Sequence, residues 1–274
     1  MNNLKKQLLA GPYLLWIIGF IILPMITVVL YAVTGEDGHF TLEYMKEVTL
    51  HAHLAAIGLS LELGVLTTLI CLIIAYPLAM ILKSFNFKHQ TFVVFIFMLP
   101  MWMNFLLRIM AWKMLLAKNG IFNSVLTGLG LSPLQVINTP LAVVIGMVYD
   151  YLPFMLLPIY NSMVRIKKDY IEAAHDLGAK NITVFFKIIL PLTMSGIVSG
   201  IVMVFVPALT SFAVSDILGG GKILLIGNII EQDFMQGNQW SIGSALSVVL
   251  MIFVLISMIL SQVFDKDEGS VATW

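Results

Sequence analysis

Four ionisable side chains, Glu62, Arg108, Lys113 and Asp150, fall inside long apolar stretches. A charge at the centre of a membrane helix costs roughly 2.5 to 3.5 kcal/mol on insertion scales, so each should face a bundle interior, a pore or a partner rather than lipid. The apolar residues around Asp150 contribute about 3 to 6 kcal/mol in the other direction, so its stretch can still insert. Counted from the outer ends of their stretches, Arg108 and Asp150 both lie roughly 12 to 15 Å deep at a rise of 1.5 Å per residue. Two chemistries suit that pairing. Asp150 can line a pathway for a small cation, with Trp102, Tyr149 and Tyr151 as aromatic surfaces for an alkylammonium group. Alternatively, Arg108 and Asp150 form a structural ion pair. The first reading predicts that Asp150→Asn lowers transport and leaves assembly intact. Glu62 is shallower, about 9 Å down, and is expected beside a water-filled vestibule.

Covalent chemistry has no visible apparatus. There is no HExxH, GxSxG or paired Cys/His signature, so neither an intramembrane hydrolase nor a metal site is expected. The lone cysteine, Cys71, sits in an apolar run and suits helix packing. Gly219, Gly220, Gly221 and Lys222 resemble a phosphate loop only superficially, because GxxxxGK[ST] needs Gly at 216 and a hydroxyl at 223, where Asp216 and Ile223 stand. The glycines fit an irregular turn instead.

The elements that position these residues follow from composition. The chain has 274 residues, 59% hydrophobic and 11% charged, with a mean hydropathy of +0.97. That leaves too little polar surface to wrap a soluble core. Six stretches are long enough to cross a hydrocarbon layer about 30 Å thick: Tyr13 to Val33, Ala56 to Leu82, Phe92 to Leu116, Leu141 to Met163, Leu192 to Phe212 and Gly243 to Val263. The first is too long for a cleaved signal peptide and is expected to stay. Six prolines, Pro24, Pro77, Pro100, Pro153, Pro158 and Pro207, lie within these stretches. The fourth span, with two of them beside Asp150, is expected to be the most irregular.

Net charge is zero, so nucleic acid is not an expected partner and the placement of charge carries the information. Ten basic residues fall at the N-terminus, in the second and fourth connections and in the tail, against Lys46, Lys118 and Lys222 in the alternate loops. The positive-inside rule therefore puts both termini in the cytoplasm. The outer loops carry Glu36, Asp37, Glu43, Glu47, Asp216, Glu231 and Asp233, which favours a cationic solute, although the same sorting leaves outer loops acidic by default. Asp216 joins the candidate pathway set.

The fourth connection, RIKKDYIEAAHDLGAKNITVFFKIILP from Arg165, has internal order. Tyr170 to Leu177 suits a short helix with Asp169 as N-cap, Glu172 near the positive end of its dipole and Gly178 as terminator. Tyr170, Ala173, Ala174 and Leu177 share a small apolar face, while Glu172, His175 and Asp176 stay polar. A second amphipathic stretch, Ile182 to Ile189, leads to Pro191 at the membrane edge.

Glu172, Ala173, Ala174, Gly178, Ile188, Leu190 and Pro191 resemble the EAA loop of ABC-importer permeases. Over the whole chain, LPMWMNFLLRIMAW from Leu99, YLPFMLLPIYNSM from Tyr151 and VSDILGGGKILLIGNII from Val214 are similar to the spermidine/putrescine permeases. The resemblance implies an all-α membrane protein with six transmembrane helices and a type I ABC-importer permease architecture. It implies one transmembrane domain over 1–274 containing a cytoplasmic coupling loop at 164–191, in a bacterial inner membrane. Tyr170, Glu172, Ala173, Ala174, His175, Asp176, Gly178 and Ala179 would then contact an ATP-binding subunit. Implied partners are a second, homologous permease chain, two copies of the cytoplasmic ATPase, which holds ATP and Mg, an extracytoplasmic solute-binding protein, a polyamine solute and membrane lipid. No cofactor is expected on this chain. Two positions depart from the pattern: Asp150, where an apolar residue is usual, and His175, where arginine is usual. The alternatives are an importer for a metal ion, an oxyanion or another amine, and, from another class, an ATP-independent transporter indifferent to changes at Glu172 or Gly178.

Overall fold

The computed structural model describes residues 11–35, 37–84, 95–235 and 239–271. Those residues are almost wholly helical, with a single isolated antiparallel bridge between Thr34 and Phe40. Four helices are long and apolar enough to cross a membrane: α1 (Gly11–Val33), α3 (His51–Ser84), α6 (Pro140–Arg165) and α12 (Trp240–Val271, its apolar part Trp240–Ile259). Two bent helix pairs bring the number of candidate spans to six if each pair is counted as one span. Phe95–Trp102 precedes the helices α4 (Phe105–Leu116) and α5 (Ile121–Gly128) across a 95° bend, and α8 (Asn181–Leu192) meets α9 (Met194–Thr210) at 62°. The remaining short helices are α2 (Glu43–Glu47), α7 (Lys168–Asp176), α10 (Phe212–Gly219) and α11 (Ile226–Met235).

The third span therefore differs from the continuous Phe92–Leu116 helix expected, and Phe92 itself lies outside the described residues. Leu99–Trp102 tightens into a 3-10 turn, Met103 is extended, and the chain restarts at Asn104. The Asn104 side chain accepts hydrogen bonds from the Leu106 and Leu107 amides at 3.0 and 3.2 Å. A helix needs such an acceptor for its orphan amides when it begins away from water.

The fifth span starts within two residues of its expected position, but a separate amphipathic helix feeds it at an angle. Pro191 has no N–H to give, and the turn before it widens so that the Leu190 amide reaches back to the Phe185 carbonyl. The same pattern precedes Pro24, where the Leu23 amide bonds the Ile18 carbonyl. At the α8–α9 corner Thr193 is fully buried. Its hydroxyl bonds the Ile189 and Leu190 carbonyls and sits 2.9 Å from the Tyr76 hydroxyl of α3. The fourth span, expected to be the most irregular, runs unbroken from Pro140 to Arg165 through Pro153 and Pro158. Neighbouring helices in a membrane bundle tolerate a missing ladder bond, so proline count alone did not locate the bends.

The helices form two compact units. One comprises residues 1–56 and 229–253, the other 57–228 and 254–274. In the second, α6 is the central helix, with Met147, Met155, Ile159 and Met163 essentially inaccessible. It packs against α9 through small residues. A Cβ at Gly196 would stand 2.6 Å from the Pro158 carbonyl oxygen, and one at Gly200 2.7 Å from Met155 Sδ. This is the small-xxx-small contact by which membrane helices approach closely. α10 lies on the same central helix, Val214 and Leu218 covering Gly146. In the first unit α1 keeps nearly all its large apolar side chains exposed, the exterior expected of a helix whose surroundings are lipid or another chain.

Candidate solute site and exposed loop helix

Arg108 occupies the first turn of α4, directly after the Asn104 cap, and Asp150 the middle of α6. The structure brings them together: Arg108 Nε lies 2.5 Å from Asp150 Oδ1. Arg108 also donates from Nη1 to the Pro100 carbonyl at 2.9 Å, so it spans the 95° break from the far side. Its guanidinium carbon is 5.8 Å from the Phe105 ring centre and 6.0 Å from that of Tyr149, inside cation–π range. Tyr149 is held in turn by an edge contact with Trp112 at 5.2 Å. Arg108 and Asp150 are 8% and 2% exposed, and despite the ionic contact Arg108 Nε and both Asp150 carboxylate oxygens have no hydrogen-bond partner among the described residues. A buried carboxylate in ionic contact but without an aligned hydrogen bond is incompletely satisfied in a low-dielectric setting.

The other candidates are more scattered. Tyr151 is buried, its hydroxyl 3.4 Å from the Pro207 carbonyl. Trp102 is 75% exposed, in edge contact with Phe95. Glu62 is exposed on α3. Asp216 is exposed on α10 and accepts a 2.8 Å bond from Asn228.

Asn228, missed in the sequence reading, is a structural clasp. It also donates to the Phe212 carbonyl and accepts from the Leu225 amide, while the neighbouring Ile226 amide is taken by Ser60. These bonds close the glycine turn, in which Gly220 and Gly221 have φ of 61° and 70°, the irregular turn the sequence suggested. Buried Asn and Ser inside apolar runs were the only signal. The first unit also holds an unforeseen cleft of about 900 Å³, with Tyr31, Tyr44 and Trp240 among its walls.

The loop helix α7 starts two residues earlier than expected. Lys167 occupies the N-cap position without a side-chain cap, and Asp169 falls within the first turn. A lysine at the cap supplies no acceptor there, and Asp169 instead acts on the positive helix end. The C-terminus follows the expected design. Gly178, at φ 80°, donates to the His175 carbonyl at 2.8 Å, and Ala179 donates to Ala174 at 3.0 Å. That pair of bonds is a Schellman stop. His175 Nδ1 lies 3.1 Å from the Ala179 carbonyl, a further tie across the turn. Glu172, Ala173 and Asp176 are exposed, Ala174 and Ala179 half-buried, Tyr170 52% and Leu177 89% exposed.

Residues 72–268 match the family model described as binding-protein-dependent transport system inner membrane component. The chain belongs to this family. It is a multi-pass protein of the inner membrane. Among relatives of this inner membrane component, the spermidine/putrescine transport system permease protein PotB of Haemophilus influenzae is 35% identical over 264 residues, covering 93% of this chain and 92% of the relative. PotB of Escherichia coli is 37% identical over 245 residues, covering 86% and 89%. A chain of a bacterial ABC transporter involved in the import of the acidic polysaccharide alginate superposes with a TM-score of 0.78 at 19% identity, covering 94% of this chain and 96% of that one. The last likeness establishes the ABC-importer permease fold and leaves the solute open.

Proposed function

We propose that this chain is the transmembrane permease subunit of an ATP-driven importer of polyamines, with both termini and the 164–191 loop in the cytoplasm. The observation that carries the reading is identity above one third to spermidine/putrescine permeases along nearly the whole length. The charge asymmetry of the connections supports the orientation. Among the described residues, α7 presents Tyr170, Ala173 and Leu177 on a rigidly terminated, solvent-facing helix. That suits docking on a cytoplasmic ATPase, which would bind ATP and Mg and carry the hydrolysis that this non-catalytic chain lacks.

In this mechanism two ATPase copies seat one coupling helix each, this chain's and that of a second, similar permease. A binding protein delivers solute from outside. Closure of the ATPases draws the coupling helices together and the bundle exchanges inward-facing for outward-facing states. ATP shifts that equilibrium only by its differential affinity for the two states. The bend at Thr193 joins the loop to α9 without a flexible linker, so displacement of α8 would reach the bundle directly.

The test is uptake of radiolabelled putrescine and spermidine into proteoliposomes holding the co-purified complex, with ATP on the ATPase side, comparing wild type with Glu172→Ala and Gly178→Asp. The expected result is ATP-dependent uptake that both changes abolish. Intact ATPase response without polyamine movement would overturn the solute, and uptake indifferent to ATP and to the loop would overturn the transporter class.

A further inference from the structure

The buried carboxylate of Asp150 already holds a cation, and that cation belongs to the protein. We propose that Asp150, the Phe105 and Tyr149 rings and the Pro100 carbonyl form a binding site for an alkylammonium group, in which the Arg108 guanidinium is an internal occupant displaced by the solute. The inference rests on the polyamine reading and deepens it.

Three observations carry it. First, the surroundings of the guanidinium match what a primary ammonium requires: one carboxylate at 2.5 Å, one carbonyl at 2.9 Å and two aromatic faces at about 6 Å. Second, the pair is in ionic contact through one carboxylate oxygen but without an aligned hydrogen bond. Asp150 Oδ1, Asp150 Oδ2 and Arg108 Nε are all buried with no hydrogen-bond partner among the described residues. An ion pair kept for stability gains most from the two-pronged arrangement that guanidinium and carboxylate allow. The carboxylate oxygens remain acceptors without an aligned donor, and an ammonium has three N–H groups to share between both oxygens and a carbonyl. Third, what little exposure the pair retains lies on Arg108, 8% against 2% for Asp150, so an incoming cation meets the guanidinium before the carboxylate.

An internal occupant does useful work in a transporter. With no solute present, Arg108 neutralises Asp150 and spares the membrane interior an unpaired charge. When an ammonium arrives, one charge-assisted contact replaces another, and the apparent affinity is lowered by the fraction of time the site is occupied from within. Weak binding in the membrane favours release on the inner side.

The experiment compares wild type, Arg108→Met and Arg108→Met/Asp150→Asn in the complete complex, reading assembly by co-purification and thermal midpoint and function by polyamine uptake. A purely structural pair predicts that the single variant is the worse, because it strands a buried carboxylate, and that the neutral double variant regains uptake close to wild type. Displacement predicts the reverse order. The double variant assembles but loses uptake by about tenfold or more, a loss of roughly one decade for one charge-assisted contact. The single variant recovers its thermal midpoint on addition of putrescine, by about 5 °C at a hundredfold excess over the dissociation constant, a recovery that Asp150→Asn removes. Should Arg108→Met fail to assemble, uptake by the double variant decides alone. Wild-type-like uptake there overturns the displacement site while leaving the polyamine reading intact. Absence of polyamine uptake by wild type overturns that reading itself, and this inference with it.

Discussion

At the scale of single residues, conformation and charge make separable demands. Gly178 holds φ at 80°, a region where a Cβ costs roughly 1 to 2 kcal/mol and which Asn tolerates better than Ala. No atom lies within 4 Å of where that Cβ would stand, so the strain is conformational and not steric. If α7 transmits force, Gly178→Ala should uncouple ATP hydrolysis from uptake more severely than Gly178→Asn. The uptake-to-hydrolysis ratio in proteoliposomes checks this, and equal ratios would place the glycine outside the coupling path. Asp233, on α11, makes the opposite kind of demand. Burial raises its carboxyl above the ordinary value of 3.8, and His53 pulls it partly back. A raised carboxyl disfavours the folded state once ionised. The penalty is absent below pH 3.8 and grows as pH climbs from there through the folded-state value. Asp233→Asn should therefore raise the thermal midpoint at pH 7 and leave it almost unchanged near pH 4, as measured by thermal denaturation in detergent at both pH values. A shift equal at both would remove ionisation as the cause.

At the scale of helices, close approach between α6 and α9 governs stability. At Gly196 a Cβ would press on the Pro158 carbonyl oxygen, which belongs to a backbone fixed in the central helix. At Gly200 the nearest obstacle is the thioether of Met155, which can turn aside. Gly196→Ala should therefore cost about 1 to 3 kcal/mol. Gly200→Ala should cost less, since its backbone obstacle, the Met155 carbonyl oxygen, stands at 3.2 Å and its strain is partly offset by about 1 kcal/mol of helix propensity. Gly58 on α3 has nothing within 4 Å, and Gly58→Ala serves as the unstrained reference. Thermal unfolding of the three variants gives the order directly, and a Gly196 variant as stable as the Gly58 one would contradict the packing. The same helices show what the sequence made legible. The straight spans were visible as apolar length alone, and the matched depths of Arg108 and Asp150 anticipated their meeting. The two breaks were not visible, because a proline bends a span only where its surroundings can satisfy the freed groups differently. Asn104 does so after Pro100 by capping a new helix, and Thr193 with Tyr76 does so after Pro191. Pro153 and Pro158 stay inside a continuous helix. How guanidinium and carboxylate align was equally out of reach, being a property of geometry and not of spacing.

At the scale of the whole molecule, the question is which ends face which compartment. Ten basic residues against three argue that the termini and the long fourth connection are cytoplasmic, and a chain with one cysteine permits a direct test. Cys71 is fully buried, so the native thiol should be silent to an impermeant maleimide. New thiols at Phe40 and Leu177, 76% and 89% exposed, report the two faces, one in the bridged turn after α1 and the other at the end of α7. In spheroplasts Phe40→Cys should label and Leu177→Cys should not. In inverted vesicles stripped of peripheral subunits the pattern should reverse. Returning the ATPase should then shield Leu177→Cys from the reagent while leaving the total of folded permease unchanged, because a docking helix covers its own apolar face. Labelling of Leu177→Cys from outside would invert the topology and remove α7 from any cytoplasmic partner. Labelling from inside that the ATPase does not diminish would keep the topology and move the coupling contact elsewhere on the loop.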